Sequence, residues 1–166
     1  MKRVYLVRHA KSSWANPELP DVDRPLNERG YKNAHEMAAF LLKEKHKADF
    51  CLSSTAIRAI STALIFSRFG LFYGGNILLE PDLYESSADE YLRILQEQDD
   101  RHTSLYWFAH NPTISEVYNL FCPGNHEELT TCNVAAIDFQ VDSWKNLAFR
   151  IGKRIAVYKP SSLPPM

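Results

Sequence analysis

Residues 4–11 read Val-Tyr-Leu-Val-Arg-His-Ala-Lys, an apolar run that ends abruptly in basic side chains. Its valines and tyrosine favour a short buried strand. In open α/β sheets, ligands bind at the carboxyl ends of the strands, so Arg8 and His9 are expected to face a crevice. A guanidinium matches the oxygens of phosphate with a planar set of donors, and a neutral imidazole can attack phosphorus. The other interpretation is a strand that ends in solvated basic residues.

Strands and helices alternate along the rest of the chain. Asn27 is expected to cap a long helix, and hydroxyl side chains at residues 53–55 suit the start of a second helix, where backbone amides favour an anion. The other apolar runs are interpreted as strands at residues 50–52, 77–79, 105–108, 134–139 and 146–151. The alternation predicts an α/β fold, a single-domain three-layer α/β/α sandwich with a mostly parallel central sheet. In such a sheet, the ends of the first, second and fourth strands converge on one edge.

Length and charge restrict the classes of protein. The 166 residues suit one domain, which we expect to cover residues 1–159, with residues 160–166 as a flexible tail. A net charge of −1 gives no electrostatic footprint for nucleic acid or an anionic membrane. No apolar run could span a bilayer and no signal peptide is evident, so a cytoplasmic location is expected. Three widely spaced cysteines predict neither a disulfide framework nor a zinc site.

Four segments resemble motifs of the histidine phosphatase superfamily, whose members share the phosphoglycerate mutase-like fold, and they occur in the family's order. Residues 8–10, Arg-His-Ala, resemble its Arg-His-Gly signature, with alanine where glycine is usual. Residues 21–30 resemble the loop and helix start that follow in short members. Residues 53–63 are similar to the segment with a second phosphate-binding arginine, here Arg58. Residues 109–112, Ala-His-Asn-Pro, resemble the segment with the second histidine, here His110.

The resemblance implies a phosphatase that works in two steps. His9 would attack phosphorus and become phosphohistidine, which water then hydrolyses, while Arg8, Arg58 and His110 bind the phosphoryl oxygens. The two arginines should lower the pKa of His9 and a bound phosphate should raise it, which leaves the sign of the net shift open. His110 is expected to be protonated, as a charged donor. The sequence has no glycine-rich nucleotide loop and no clustered acidic and histidine ligands, so neither a cofactor nor a metal is expected.

The proton donor for the leaving group is open between several acids. Leu83-Tyr84-Glu85 resembles the loop that carries a catalytic glutamate in larger members, which makes Glu85 the first candidate. Asp21 and Asp23 are alternatives because their loop could fold over the pocket, although they could equally pair with Arg24. The rim of the site is expected to contain Ser12, Asp21, Asn111 and Thr131. Asn111 is further expected to fix the loop around His110.

The length of the connections bears on the substrate. Residues 65–82 and 120–134 leave little room for an inserted cap, and an uncapped site suits a phosphoryl group on a bulky partner. The length and the Asp-Arg-Pro-Leu loop resemble the small SixA-type phosphohistidine phosphatases, so phosphohistidine in a protein is the first expectation. The alternatives are a phosphomonoesterase for a small metabolite, such as a sugar or nucleotide phosphate, and a non-catalytic phosphate-binding module. The sequence makes no prediction of the oligomeric state.

Overall fold

The computed structural model describes residues 1–124 and 126–165, in which four helices flank a six-stranded sheet. The strands are β1 (Lys2–Arg8), β2 (Phe50–Ser53), β3 (Ile77–Leu79), β4 (Ser104–Ala109), β5 (Val134–Phe139) and β6 (Lys153–Tyr158). The helices are α1 (Glu28–Lys43), α2 (Ile57–Arg68), α3 (Ala88–Gln96) and α4 (Thr113–Phe121). No helix of these residues is long and apolar enough to cross a membrane.

The sheet has the order β3-β2-β4-β1-β5-β6 and is mostly parallel. Strands β1, β2, β3, β4 and β6 run in one direction, whereas β5 runs against them. In the register of the central strands, Arg8 is opposite Ala109 and Ser53 is opposite Phe108. The residues that follow these pairs therefore leave the sheet side by side at its carboxyl edge. The predicted fold class is confirmed.

Two apolar layers cover the sheet because successive side chains of a strand point to opposite faces. On one face, Leu6 of β1 and Trp107 of β4 pack with the buried sides of α3 and α4. On the other, Tyr5 and Phe108 pack with α1 and α2. Strands buried on both faces read as continuous apolar runs rather than as an alternation, which is why β1 and β4 are evident in the sequence.

The loop after β1 is held against the start of α1. Asn27 is the N-cap, as predicted, and its side-chain oxygen accepts a hydrogen bond from the amide of Gly30 at 2.8 Å. The amide of Asn27 donates to the carbonyl of Lys11 at 2.9 Å. A Cβ atom at Gly30 would collide with that same carbonyl oxygen. Only glycine therefore allows the helix to come this close to the segment that follows His9.

The predicted strand at residues 146–151 is wrong. Trp144–Asn146 forms a 3₁₀ turn, and Arg150 has a φ angle of 74°, which is incompatible with extended backbone. The apolar residues there, Leu147 and Phe149, pack separately against the core instead of forming a ladder. The sixth strand lies at Lys153–Tyr158. It is an edge strand whose first half is exposed and begins with polar residues, so it lacks the continuous apolar run of a buried strand.

The last described residues lie on α1. Pro160–Ser162 forms a 3₁₀ turn, and Leu163 packs against the layer beneath α1 and α2. The flexibility of residues 160–166 stays a prediction, as does the domain boundary at residue 159.

Candidate active site

A cleft at the carboxyl edge of the sheet contains two adjoining cavities. The main cavity, about 340 Å³, is lined by His9 and by residues from the loop that precedes α1. The side cavity, about 350 Å³, is lined by residues 84–86 and by the start of α4. The two cavities share the residues between them, which are Asp21, Arg58, His110 and Asn111. The structure thus brings together Arg8, His9, Arg58 and His110, which the sequence placed at or after the ends of three different strands.

His9 is held as a neutral imidazole with one nitrogen free. Its Nδ1 lies 2.7 Å from the carbonyl oxygen of Ala10, which can only accept, so that Nδ1 carries the proton and Nε2 keeps its lone pair. Burial lowers the pKa of His9 to about 4, and the charges of Arg58 and Arg8 act in the same direction, while the Ala10 carbonyl opposes them. The net shift in the pKa of His9, which the sequence left open, is therefore downward, and Nε2 is available as a nucleophile.

His110 lies beside His9, with ring centroids 5.0 Å apart. Its Nε2 is 2.7 Å from the hydroxyl of Ser54, which also accepts the amide of Ala56 at 3.2 Å. The hydroxyl can donate its one hydrogen to Nε2, and in that arrangement the imidazole proton is on Nδ1. Nδ1 is buried and has no hydrogen-bond partner among the residues that the structure describes.

The expectation that His110 is charged is wrong for the empty site. Burial lowers its pKa to about 3, and the neighbouring His9 and Arg58 contribute to the same shift. Desolvation disfavours the imidazolium, and the opposing effect of the Asp21 carboxylate does not offset it. His110 is thus a neutral donor through Nδ1 rather than a cation.

The two predicted arginines enter the cleft from different elements. Arg58, 7% exposed, extends from the first turn of α2. The side chain of Arg8 donates from Nη1 to the carbonyl of Leu129 at 3.1 Å, and its Nε has no partner within the described part of the chain. Thr62 connects the two segments: its Oγ1 accepts the amide of Ala10 at 3.0 Å and donates to the carbonyl of Arg58 at 2.8 Å. The cleft therefore holds two fixed guanidinium groups.

Asp21 occupies the boundary between the cavities. Arg58 donates from Nη2 to its carboxylate at 2.9 Å and from Nη1 to its carbonyl at 2.7 Å. The hydroxyl of Tyr84 donates to the same carboxylate at 2.5 Å. The hydrogen bond from Tyr84, together with Arg58, lowers the pKa of Asp21, although its side chain is half exposed. In the empty site Asp21 is thus an anion rather than a proton donor.

The other predicted residues lie around this centre. Glu85 is exposed and lines the side cavity with His110. Asn111 donates to the carbonyl of Leu129 at 2.8 Å and accepts from Ser115 at 2.5 Å, so it fixes the loop around His110, as expected. Ser12 and Thr131 line the main cavity, together with Asp21. Their roles in binding stay predictions.

Trp14, Arg24 and Tyr84 are among the residues that line the cleft without having been predicted as site residues. Arg24 is expected from the sequence only as a partner for nearby aspartates, and its Nε does lie 3.6 Å from the carboxylate of Asp21. Arg24 is buried, however, and its Nη2 donates to the hydroxyl of Ser12. Its position in the same loop as Asp21 is the one signal that could have suggested a place in the cleft.

No group of three or more His, Cys, Asp or Glu side chains within residues 1–124 and 126–165 is arranged to hold a metal ion. The charges available to an anion come from the arginines instead. The guanidinium groups of Arg8, Arg24 and Arg58 and the neutral imidazole of His110 line the same cavity as His9. These are the groups needed to bind a phosphoryl group while a nucleophile attacks it.

Comparison with known proteins gives one family. The model of the histidine phosphatase superfamily (branch 1) matches residues 4–120 of the chain. A 2,3-bisphosphoglycerate-dependent phosphoglycerate mutase of Gloeothece citriformis is 39% identical over 93 residues, which are 54% of this chain and 38% of that protein. The chain thus matches little more than a third of the length of that relative.

Two solved structures are similar over nearly the whole chain. The structure of a candidate phosphohistidine phosphatase SixA from Agrobacterium tumefaciens has a TM-score of 0.80 and 26% identity, and covers 96% of this chain and 99% of its own. The structure of the protein histidine phosphatase SixA with tungstate has a TM-score of 0.81 and 20% identity, and covers 98% of this chain and 99% of its own. The latter similarity concerns the fold alone.

Proposed function

Because the chain belongs to branch 1 of the histidine phosphatase superfamily and is a phosphoryl-group hydrolase, we propose that it removes the phosphoryl group from phosphohistidine in a protein. One observation carries this choice of substrate: Tyr84 and Arg58 keep Asp21, the carboxylate that borders the main cavity, in its ionised form. An alkoxide leaves with difficulty when no acid protonates it, whereas the imidazole of phosphohistidine is a better leaving group.

The first step transfers the phosphoryl group to His9. The lone pair on Nε2 attacks phosphorus while the bond from phosphorus to the substrate nitrogen breaks, and that nitrogen takes the electron pair and a proton from water. Arg8 and Arg58 bind the equatorial oxygens with paired N–H donors, and His110 adds a donor from Nδ1. Because His9 is neutral with its Nδ1 fixed by Ala10, the attack needs no prior loss of a proton.

The second step returns the enzyme to its starting state. A water molecule attacks the phosphorus of phosphorylated His9, and the electron pair of the broken bond returns to Nε2. Phosphate leaves with one proton of that water, and the other proton neutralises the hydroxide left by the first step. The same two arginines stabilise the charge on the oxygens, so one set of donors serves both transition states.

A second candidate is hydrolysis of a small phosphomonoester. Glu85 favours it, because its carboxyl group lines the side cavity next to His110 and could supply the proton that an ester oxygen needs. The SixA structure from Agrobacterium tumefaciens supports the first substrate, and the mutase of Gloeothece citriformis is named for a small phosphoester. The two candidates share the nucleophile and differ in the role of Glu85.

The deciding experiment compares a phosphohistidine-bearing protein with a panel of small phosphomonoesters. We expect Glu85→Gln to lower hydrolysis of phosphohistidine less than about tenfold, because proton donation is worth about 10²–10⁴-fold only for a poor leaving group. Glu36→Gln, on the exposed side of α1, is the matched control. Efficient turnover of esters, lost about a hundredfold in Glu85→Gln, with no action on phosphohistidine would reverse the choice of substrate.

The nucleophile is tested separately. Rapid quench of the wild type with labelled substrate should trap acid-labile phosphate on His9, and His9→Ala should abolish turnover while the arginines still bind phosphate. Near-normal rates in His9→Ala would refute the proposed mechanism. If the wild type bound phosphate without any turnover, the protein would be a phosphate-binding module instead.

A further inference from the structure

Trp14 is an exposed aromatic side chain at the mouth of the main cavity. It is 72% exposed, whereas Trp107 and Trp144 are completely buried. Its indole lies over the guanidinium of Arg24, with Cζ of Arg24 3.3 Å from the ring centroid. Planar guanidinium groups stack on aromatic faces, so this contact fixes the plane of the indole and leaves the opposite face without cover from Arg24.

Arg24 is a rigid support for this ring. It is 6% exposed, its Nη2 donates to the hydroxyl of Ser12, and its Nε lies 3.6 Å from the carboxylate of Asp21. Both of these partners line the main cavity, as do Trp14 and His9. The indole is thus attached, through one buried side chain, to the same wall of the cleft that carries the nucleophile.

The fold does not need the indole to hold this loop in place. The amide of Ser13 donates to the carbonyl of Pro25 at 2.8 Å, and Ser12 forms a β-bridge with Leu26. These backbone contacts close the loop on both sides of Trp14. With nearly three quarters of its surface in water, the indole also adds little apolar burial. Its place in the lining of the main cavity, rather than its exposure alone, makes the indole available to a ligand.

We propose that Trp14 is a stacking platform for the leaving group, so that a planar ring bound to the phosphoryl group lies on the indole while His9 attacks phosphorus. This inference rests on the proposed function and names the part of the substrate that the cleft recognises. A neutral ring suits the platform better than a cationic one, because Arg24 already places a positive charge on the other face. The ring is the imidazole attached directly to phosphorus; a nucleobase, separated from phosphorus by a ribose, is the other source of the same chemistry.

A pair of substrates with the same type of bond isolates the ring. N-Phosphorylimidazole and phosphoramidate both have a phosphorus–nitrogen bond, but only the first carries a ring. Trp14→Ala should lower kcat/KM for N-phosphorylimidazole about three- to tenfold, the usual worth of an aromatic pair, chiefly through KM. Phosphoramidate should lose less than about twofold, and Trp14→Phe should restore most of the activity on the ring substrate. Tyr73→Ala, which removes another ring that is 70% exposed, is the matched control.

Equal losses on both substrates would mean that Trp14 only supports the loop, and no loss on either would mean that the ring does not stack. Either result overturns the proposal. For the source of the ring, AMP is compared with ribose 5-phosphate: a preference for AMP that disappears in Trp14→Ala would assign the platform to a nucleobase and overturn its assignment to imidazole.

A binding measurement separates this inference from the proposed function. Phenylphosphonate and methylphosphonate are not hydrolysed, and ³¹P NMR titration gives their affinities. The wild type should bind phenylphosphonate about three- to tenfold more tightly, and Trp14→Ala should abolish the difference. A wild type that hydrolyses no phosphorus–nitrogen bond yet keeps this preference would refute phosphohistidine as the substrate and retain the platform. A wild type that binds the two phosphonates equally would refute the platform whatever its substrate.

Discussion

The two histidines of the cleft differ in the ring nitrogen that the protein holds. His9 donates from Nδ1–H to the carbonyl of Ala10, which leaves Nε2 free to attack. His110 is held at Nε2 by the hydroxyl of Ser54, which leaves Nδ1–H free to donate. Since both rings are neutral, the hydrogen bond on the far nitrogen decides whether each imidazole acts as a nucleophile or as a donor.

Ser54 is accordingly predicted to fix the tautomer of His110. Ser54→Ala should let the proton move to Nε2, so that kcat falls about fivefold, the worth of one hydrogen bond. The ¹⁵N NMR shifts of His110 should report the exchange of tautomers. Ser53→Ala is the control, because Ser53 is equally buried and donates to the carbonyl of Ser54 instead. A drop in kcat without any change in those shifts would contradict this role.

The loop after β1 and the start of α1 are held in direct contact. Asn27 and Gly30 contact the backbone of Lys11, two residues beyond the nucleophile. The position of His9 therefore depends on how closely the helix approaches.

Gly30→Ala is expected to force the two segments apart. The added methyl group would meet backbone rather than a flexible side chain, so we expect a loss of about 1–3 kcal/mol in the free energy of unfolding and a lower kcat. Thermal unfolding and steady-state kinetics measure the two effects. Arg29→Ala, at the exposed neighbouring position, should change neither. An unchanged kcat in Gly30→Ala would show that the approach does not position His9.

Strands buried on both faces could be predicted from the sequence, because β1 and β4 are unbroken apolar runs that end in functional side chains. The edge strand β6 could not: half of it is exposed, and the more apolar residues 146–151 are anchors in a loop. In the cleft, Arg8, His9, Arg58 and His110 converge because they follow parallel strands. The stacking of Trp14 on Arg24 could not be predicted, because it depends on how a proline-rich loop folds rather than on any local pattern.

The burial of two neutral imidazoles also affects the stability of the whole molecule. The pKa values of about 4 for His9 and about 3 for His110 lie below the ordinary value of 6.5, at which these groups titrate in the unfolded chain. As the pH falls from 6.5 to about 4 for His9 and to about 3 for His110, the unfolded chain takes up protons that these groups do not bind in the folded protein. The stabilisation from these groups is therefore complete above pH 6.5 and is lost through that window.

Urea unfolding at about pH 7 and about pH 5 measures this effect. The wild type should lose free energy of unfolding between the two pH values. His9→Asn should lose less, because it lacks one group that binds a proton in the unfolded chain but not in the folded protein. Carboxylates and the histidines outside the cleft contribute equally to both proteins and cancel in the difference. His110 loses the part of its shift that comes from His9, which acts in the same direction. Equal losses in the wild type and in His9→Asn would mean that His9 is not held neutral by the fold.

Inorganic phosphate is a product of every turnover, and it fits the same arginines as the substrate. Asp21 bears on its release, because a carboxylate attached to Arg58 repels a dianion beside it. Asp21→Asn should therefore lower the inhibition constant of phosphate about fivefold, whereas Asp23→Asn should not. The carboxylate of Asp21 would thus lower the affinity of the site for the phosphoryl group and speed the release of phosphate. Asp21 thereby sets how much free phosphate the enzyme can tolerate before its own product stalls it.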